Sequence, residues 1–121
     1  MEYVDDRTRA LGELRRVLRP DGALVLSRMH PTGDWLRHGG NYFDERVIDE
    51  VWSRGWRVRY WLAPLERTCE ELHDAGFLIE RLVEPRPTAA AADIDRDTYE
   101  RLMREPTGFL AIKAVPRPVS C

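Results

Sequence analysis

The sequence predicts an α/β domain, and two observations carry that prediction. The first is the stretch from Leu14 to His30, LRRVLRPDGALVLSRMH, where a helix stops, the chain turns, and a short apolar strand runs into a polar loop. Ala23 to Ser27 is apolar on both faces of a period-2 strand, a pattern suited to a parallel sheet covered on both sides. The second is the order of signals along the chain: helix, strand, loop, hairpin, helix, strand, helix, strand. That order mixes α/β alternation with some antiparallel pairing.

In chain order, Met1 to Val4 is a stub, and Asp5 or Asp6 can cap a helix running to about Leu18. Leu11, Leu14 and Leu18 share its apolar face. Pro20, Asp21 and Gly22 stop it and turn the chain into the strand. His30 to Asp44, HPTGDWLRHGGNYFD, is polar, Gly-rich and aromatic without a clean period, and reads as a long loop. Val47 to Trp52 and Trp56 to Leu62 flank Ser53-Arg54-Gly55 and read as a hairpin, with Trp56, Val58 and Tyr60 on one face. The first run also fits one turn of helix. Pro64 opens the next helix, with Leu65, Cys69 and Leu72 as its buried stripe and Gly76 just past its end. Phe77 to Val83 is a second strand, and Pro85-Arg86-Pro87 ends it. Thr88 to Asp95 reads as an Ala-rich linker. Asp97 to Arg104 is a short helix and Phe109 to Val115 a last strand. One domain portion over 1–115 and a loose tail over 116–121 follow from this.

Composition narrows the function classes. The chain has 121 residues, 43% hydrophobic and 33% charged, as expected of one globular domain or part of one. A net charge of −2 argues against nucleic-acid binding. The cations are nearly all arginine and are scattered, which reads as a solvated surface before it reads as an anion site. No run reaches the roughly 20 apolar residues of a membrane span. Nor is there a signal peptide, and Cys69 and Cys121 have no metal or redox spacing, so a cytoplasmic protein is expected. His38 and His73 have no carboxylate or cysteine at ligand spacing, and no metal site is expected.

The segment ALGELRRVLRPDGALVLSRMHP resembles the helix and fifth strand of class I S-adenosylmethionine-dependent methyltransferases of the type 11 group. That group carries E-x-x-R-V-L-R-P-G-G there; this chain has Glu13, Arg16, Val17, Leu18, Arg19 and Pro20, with Asp21 in place of the first glycine. MEYVDD resembles the end of the fourth strand. His30-Pro31 and Asn41-Tyr42-Phe43 resemble the loop after the fifth, LERTCEELHDAGF the helix before the sixth, and IERLVEPRP and PTGFLAIK the last two strands. The resemblance implies the C-terminal part of a Rossmann-like methyltransferase sheet, strands five to seven, with an inserted hairpin. The family's D/E-x-G-x-G-x-G cofactor turn is absent from the sequence, and the closest cluster, Gly39-Gly40, opens no helix.

The implied function is methyl transfer from S-adenosylmethionine to a small-molecule acceptor, in a fragment lacking the main cofactor motif. The alternative is a non-enzymatic remnant or a dimerising or binding module. His30, beyond the carboxyl end of the strand, is the candidate general base. Glu2 and Tyr3 fall where the family's fourth strand meets the cofactor. Tyr42, Asn41 and Trp35, with Asp34, are candidate acceptor contacts from the Gly-rich loop. Trp52, Trp56, Tyr60 and Trp61 either wall an acceptor pocket or pack the hairpin. Each candidate has a plainer reading: a frayed terminus for Glu2 and Tyr3, a loop anchor for Tyr42, a backbone contact for His30. An exposed apolar edge and face around Leu24 and Leu26 would favour self-association.

Overall fold

The structure, a computed structural model, describes residues 1–106 and 108–118. Helix α1 spans Arg7–Val17 and is capped by Asp6, whose carboxylate accepts the Arg9 N–H at 3.0 Å. Of the expected apolar face, Leu11 is buried and Leu18 packs against the core, but Leu14 is exposed. Strand β1 runs over Leu24–Met29, helix α2 over Pro31–His38, strand β2 over Arg46–Trp52 and strand β3 over Trp56–Leu62. Helix α3 (Leu65–Asp74), strand β4 (Phe77–Val83), helix α4 (Arg96–Arg104) and strand β5 (Phe109–Pro116) complete the order.

One sheet has the order β1-β5-β4, and every pairing in it is antiparallel. The chain's last strand is therefore inserted between two strands that run parallel to each other. Ile112 sits opposite Leu26 on one side and Leu82 on the other. The expected parallel pairing is not seen among the described residues. Strand periodicity reports which faces are apolar but not the direction of the neighbour.

Nor is β1 covered on both faces. Val25 is 71% exposed, whereas Leu24 and Leu26 pack toward the core, so the open apolar face is Val25's. The outer edge of β1 pairs with no other described strand. The core lies on the other face, where α1 and α3 pack together over Leu11, Leu72, Phe77, Leu110, Ile112 and Ala114. Removing each of its large side chains from water contributes about 1.5–3 kcal/mol.

Strands β2 and β3 form a separate two-stranded ribbon, and this excludes the helical alternative for Val47 to Trp52. Its turn holds Arg54 at φ 71° and Gly55 at φ 75°. On β3 only the far half of the expected face is buried: Trp56 is exposed, Val58 half-buried and Tyr60 buried. The ribbon is tied to the N-terminus by the Trp61 N–H, which donates to the Glu2 carbonyl at 2.8 Å.

Two segments expected to be loop or linker contain helix. The His30 to Asp44 stretch holds α2, which is short and includes Pro31 and Gly33, so its apolar period is too brief to register. Ala89–Asp93 forms a 3-10 turn ahead of α4. Gly76, at φ 91°, ends α3, and its carbonyl accepts the Arg117 N–H at 2.8 Å, which ties down the start of the expected loose tail. Cys69 is half-buried; Cys121 lies outside the described residues.

Candidate functional site

Polar groups converge at the carboxyl end of β1, where the strand passes directly into α2. His30 is the junction. It is buried and occupies the N-cap of α2. The Thr32 N–H donates to His30 Nδ1 at 3.2 Å, so Nδ1 carries no proton. Nε2–H then donates to Glu84 Oε2 at 2.7 Å. Both ring nitrogens are engaged within the chain, and the group of the pair that reaches solvent is the Glu84 carboxylate.

Glu2 lies under the same strand end and is buried, so the N-terminus is not frayed. Its carboxylate accepts the Met29 N–H at 3.0 Å and pairs with the terminal ammonium at 3.1 Å. Burial pushes its pKa up, but these two partners outweigh burial and hold it below the usual carboxylate range. Tyr3 is half-exposed, with its ring edge-on to Trp52 (6.5 Å) and Tyr60 (6.2 Å).

Nothing in the sequence joins Arg28 to Asp34, yet the two share this region. Arg28 is 6% exposed; it donates to Thr68 Oγ1 at 2.7 Å and to the Met29 carbonyl at 3.0 Å, leaving one terminal nitrogen without a partner. Asp34 is 4% exposed, in the first turn of α2, and Oδ2 has no partner. Burial pushes the Asp34 carboxyl up to about 6, against the opposing pull of Arg28.

The remaining candidates serve as anchors. Tyr42 Oη accepts the Leu65 N–H at 3.0 Å at the start of α3, and its ring meets Trp35 and Phe43 edge-on. Trp35 Nε1 donates to the Gly40 carbonyl at 2.8 Å. Asn41 Oδ1 accepts the Phe43 N–H at 2.9 Å, a local turn. On the ribbon, Glu50 accepts from Trp52 Nε1 (2.7 Å), Tyr60 Oη (3.0 Å) and Arg37 (3.0 Å), and Tyr60 Oη also meets His38 Nε2 at 2.7 Å. The hydrogen bond from Trp52 is the main reason the Glu50 pKa is lowered, and burial is the main reason that of Tyr60 is raised. Trp61 lies under the Arg7 guanidinium at 5.4 Å, a packing role. The aromatic group is therefore divided: Tyr60 and Trp52 join a polar network beside Tyr3, whereas Trp56 stands exposed at the ribbon's tip.

The helix N-termini near this edge are occupied. Asp6 caps α1, His30 caps α2, and at α3, where Pro64 supplies no side-chain cap, the Tyr42 hydroxyl accepts the first N–H, that of Leu65. The Gly39-Gly40 turn closes α2 rather than opening a helix. Among the described residues no cluster of His, Cys, Asp and Glu could hold a metal ion. None of the described helices is long and apolar enough to cross a membrane.

Taken together, this is an α/β sheet whose final strand is inserted antiparallel, with polar groups gathered at the strands' carboxyl ends. No protein-family model matches the sequence, and no curated protein does. Solved structures match it. A protein from Listeria monocytogenes described as an S-adenosylmethionine-dependent methyltransferase superposes with a TM-score of 0.78 at 21% identity, covering 97% of this chain and 58% of that one. A methyltransferase of the same description from Mesorhizobium loti gives 0.64 at 23%, covering 93% and 57%. The glycopeptide N-methyltransferase MtfA, in complex with S-adenosyl-L-methionine, gives 0.55 at 17%, covering 98% and 50%. The chain has the fold of class I S-adenosylmethionine-dependent methyltransferases, and it spans between half and three-fifths of the length of these structures.

Proposed function

We propose that this chain forms the acceptor side of an S-adenosylmethionine-dependent methyltransferase that acts on a small molecule. The observation that supports the reading is the convergence of His30, Asp34, Glu2 and Tyr3 at the carboxyl end of β1, in a fold shared along nearly the whole chain with methyltransferases. Such transfers depend mainly on holding donor and acceptor in line, so positioning groups matter more than a fixed catalytic motif.

The reading assigns the methyl donor to residues other than these. Holding it takes a backbone turn with free N–H groups at a helix N-terminus and a carboxylate with a free oxygen. Here the N-termini of α1 and α2 are capped by Asp6 and His30, and one Glu2 oxygen is taken by the Met29 N–H. Within the chain the residues have narrower tasks. His30 holds Glu84 at the rim and fixes the entry of α2. Glu84 is the solvent-facing group able to accept a proton, and Tyr3 offers an exposed ring face for an acceptor to stack on. Self-association would use the open edge of β1.

A second reading is a binding module without catalysis. The internal pairing of both His30 nitrogens favours it, since the ring is not free to act. Calorimetric titration with S-adenosylmethionine separates the two readings. It is run on this chain and on the longest in-frame product containing it. Binding by the longer product alone is the expected result. Binding by the chain itself overturns the division of labour; binding by neither overturns methyl transfer.

A further inference from the structure

Beside His30, the loop after β4, the end of α4 and the start of β5 enclose an open groove of about 850 Å³. That volume is in the range of small-ligand sites. Its apolar surface comes from Leu82, Met103 and Phe109, which are 40%, 44% and 59% exposed and together form one wall of the groove.

Charge says what such a groove would bind. Arg81, Arg86 and Arg104 line the groove, and none of them has a hydrogen-bond or ion-pair partner among the described residues. Two carboxylates oppose them. Glu84 is held by His30, and Glu105 stands at the end of α4. Three guanidiniums against two carboxylates, one of them already engaged, leave a positive surplus beside an apolar wall. A guanidinium fork matches a carboxylate better than it matches any neutral group.

We infer that this groove binds a small apolar molecule carrying a single carboxylate. The inference concerns binding and holds whether or not the chain takes part in methyl transfer. Leu82, Met103 and Phe109 receive the apolar body, and the arginines receive the anion.

The test is an NMR titration of the 15N-labelled chain with 2-naphthoate, with 2-naphthamide and 2-naphthylmethylamine as neutral and cationic controls. Saturable shifts are expected at Arg81 to Glu84, Leu102 to Glu105 and Phe109. The carboxylate should bind about ten-fold more tightly than the amide, and added salt should narrow that gap. The double variant R86Q/R104Q, at two exposed positions, should bring carboxylate and amide level while leaving the spectrum of the free protein folded. E105Q should strengthen carboxylate binding. Equal binding of acid and amide, preference for the amine, shifts at other residues, or no saturable shift would each overturn the inference.

Discussion

His30 and Glu84 are 54 residues apart in sequence and meet at 2.7 Å, Nε2 to Oε2. This contact joins the carboxyl end of β1 to the end of β4 across the inserted β5, on the edge where the candidate site lies. Its two halves are not equal in energy. Glu84 is mostly exposed, so its hydrogen bond to the neutral imidazole competes with water and contributes little. His30 also caps α2 through Thr32, and losing a cap costs about 1 kcal/mol. His30→Ala should therefore destabilise the chain by about 2 kcal/mol, His30→Asn by less than half of that because asparagine caps well, and Glu84→Gln by about 0.5 kcal/mol or less. Urea denaturation of the three variants checks the order. An equal loss for Glu84→Gln and His30→Ala would make the pair, not the cap, the stabilising element.

A stronger electrostatic dependence lies between α1 and α3. Arg7 Nε and Nη2 reach the Glu71 carboxylate at 2.8 to 3.0 Å, and both side chains are largely buried. Arg67 Nε adds a fourth, purely ionic contact to Glu71 at 3.2 Å, without hydrogen-bond geometry. Removing the carboxylate leaves buried guanidinium without its counter-charge. Glu71→Ala should cost about 3–5 kcal/mol, and an apolar pair such as Arg7→Met with Glu71→Leu should recover most of it. Thermal melts of the single and double variants measure this. Additive losses in the double variant would contradict it.

Much of the fold is legible in the sequence because it is written in local periods. Asp6 as a cap, the Arg54-Gly55 turn, Gly76 as a stop and the β4 and β5 runs are each a signal within a few residues. What is not legible is what depends on a distant partner. Nothing in the alternation of β5 says that it lies between β1 and β4, and nothing in Leu14 distinguishes it from Leu11. The candidate site is legible only in part. His30, Glu2, Tyr3 and Asp34 come together, but Tyr42, Asn41 and Trp35 are spent on anchoring. Arg28 and Glu84 are not legible as site residues, because charged residues in a scattered pattern read as surface. The available signal for Arg28 was its place in an otherwise apolar strand, where a charge is buried only with partners.

Tyr42 illustrates the anchoring role and can be tested by deleting one oxygen. Its hydroxyl accepts the Leu65 N–H, a donor that α3 cannot satisfy internally. Tyr42→Phe keeps the ring contacts with Trp35 and Phe43 and removes only that bond. A loss of about 1 kcal/mol is expected, with faster amide hydrogen exchange at Leu65 and Glu66. Unchanged exchange there would mean that the hydroxyl does not hold the helix start.

Asp34 sets a pH dependence whose sign can be worked out. Its carboxyl is raised from an ordinary 3.8 to about 6 by burial, so between those values the folded chain holds a proton that the unfolded chain releases. Stability from this group is therefore fully present below pH 3.8 and is lost as pH rises through 6, by about 3 kcal/mol in all. Glu2 acts in the opposite sense, because its pKa is lowered on folding and its contribution is lost in acid. The total pH profile mixes the two, and the variant Asp34→Asn separates them. Relative to the natural chain, Asp34→Asn should be more stable at pH 7.5 and lose that advantage at pH 4.5. Urea midpoints at the two pH values give the comparison. A constant difference between the proteins would mean that the Asp34 carboxylate is ionised throughout, held so by the unpartnered nitrogen of Arg28.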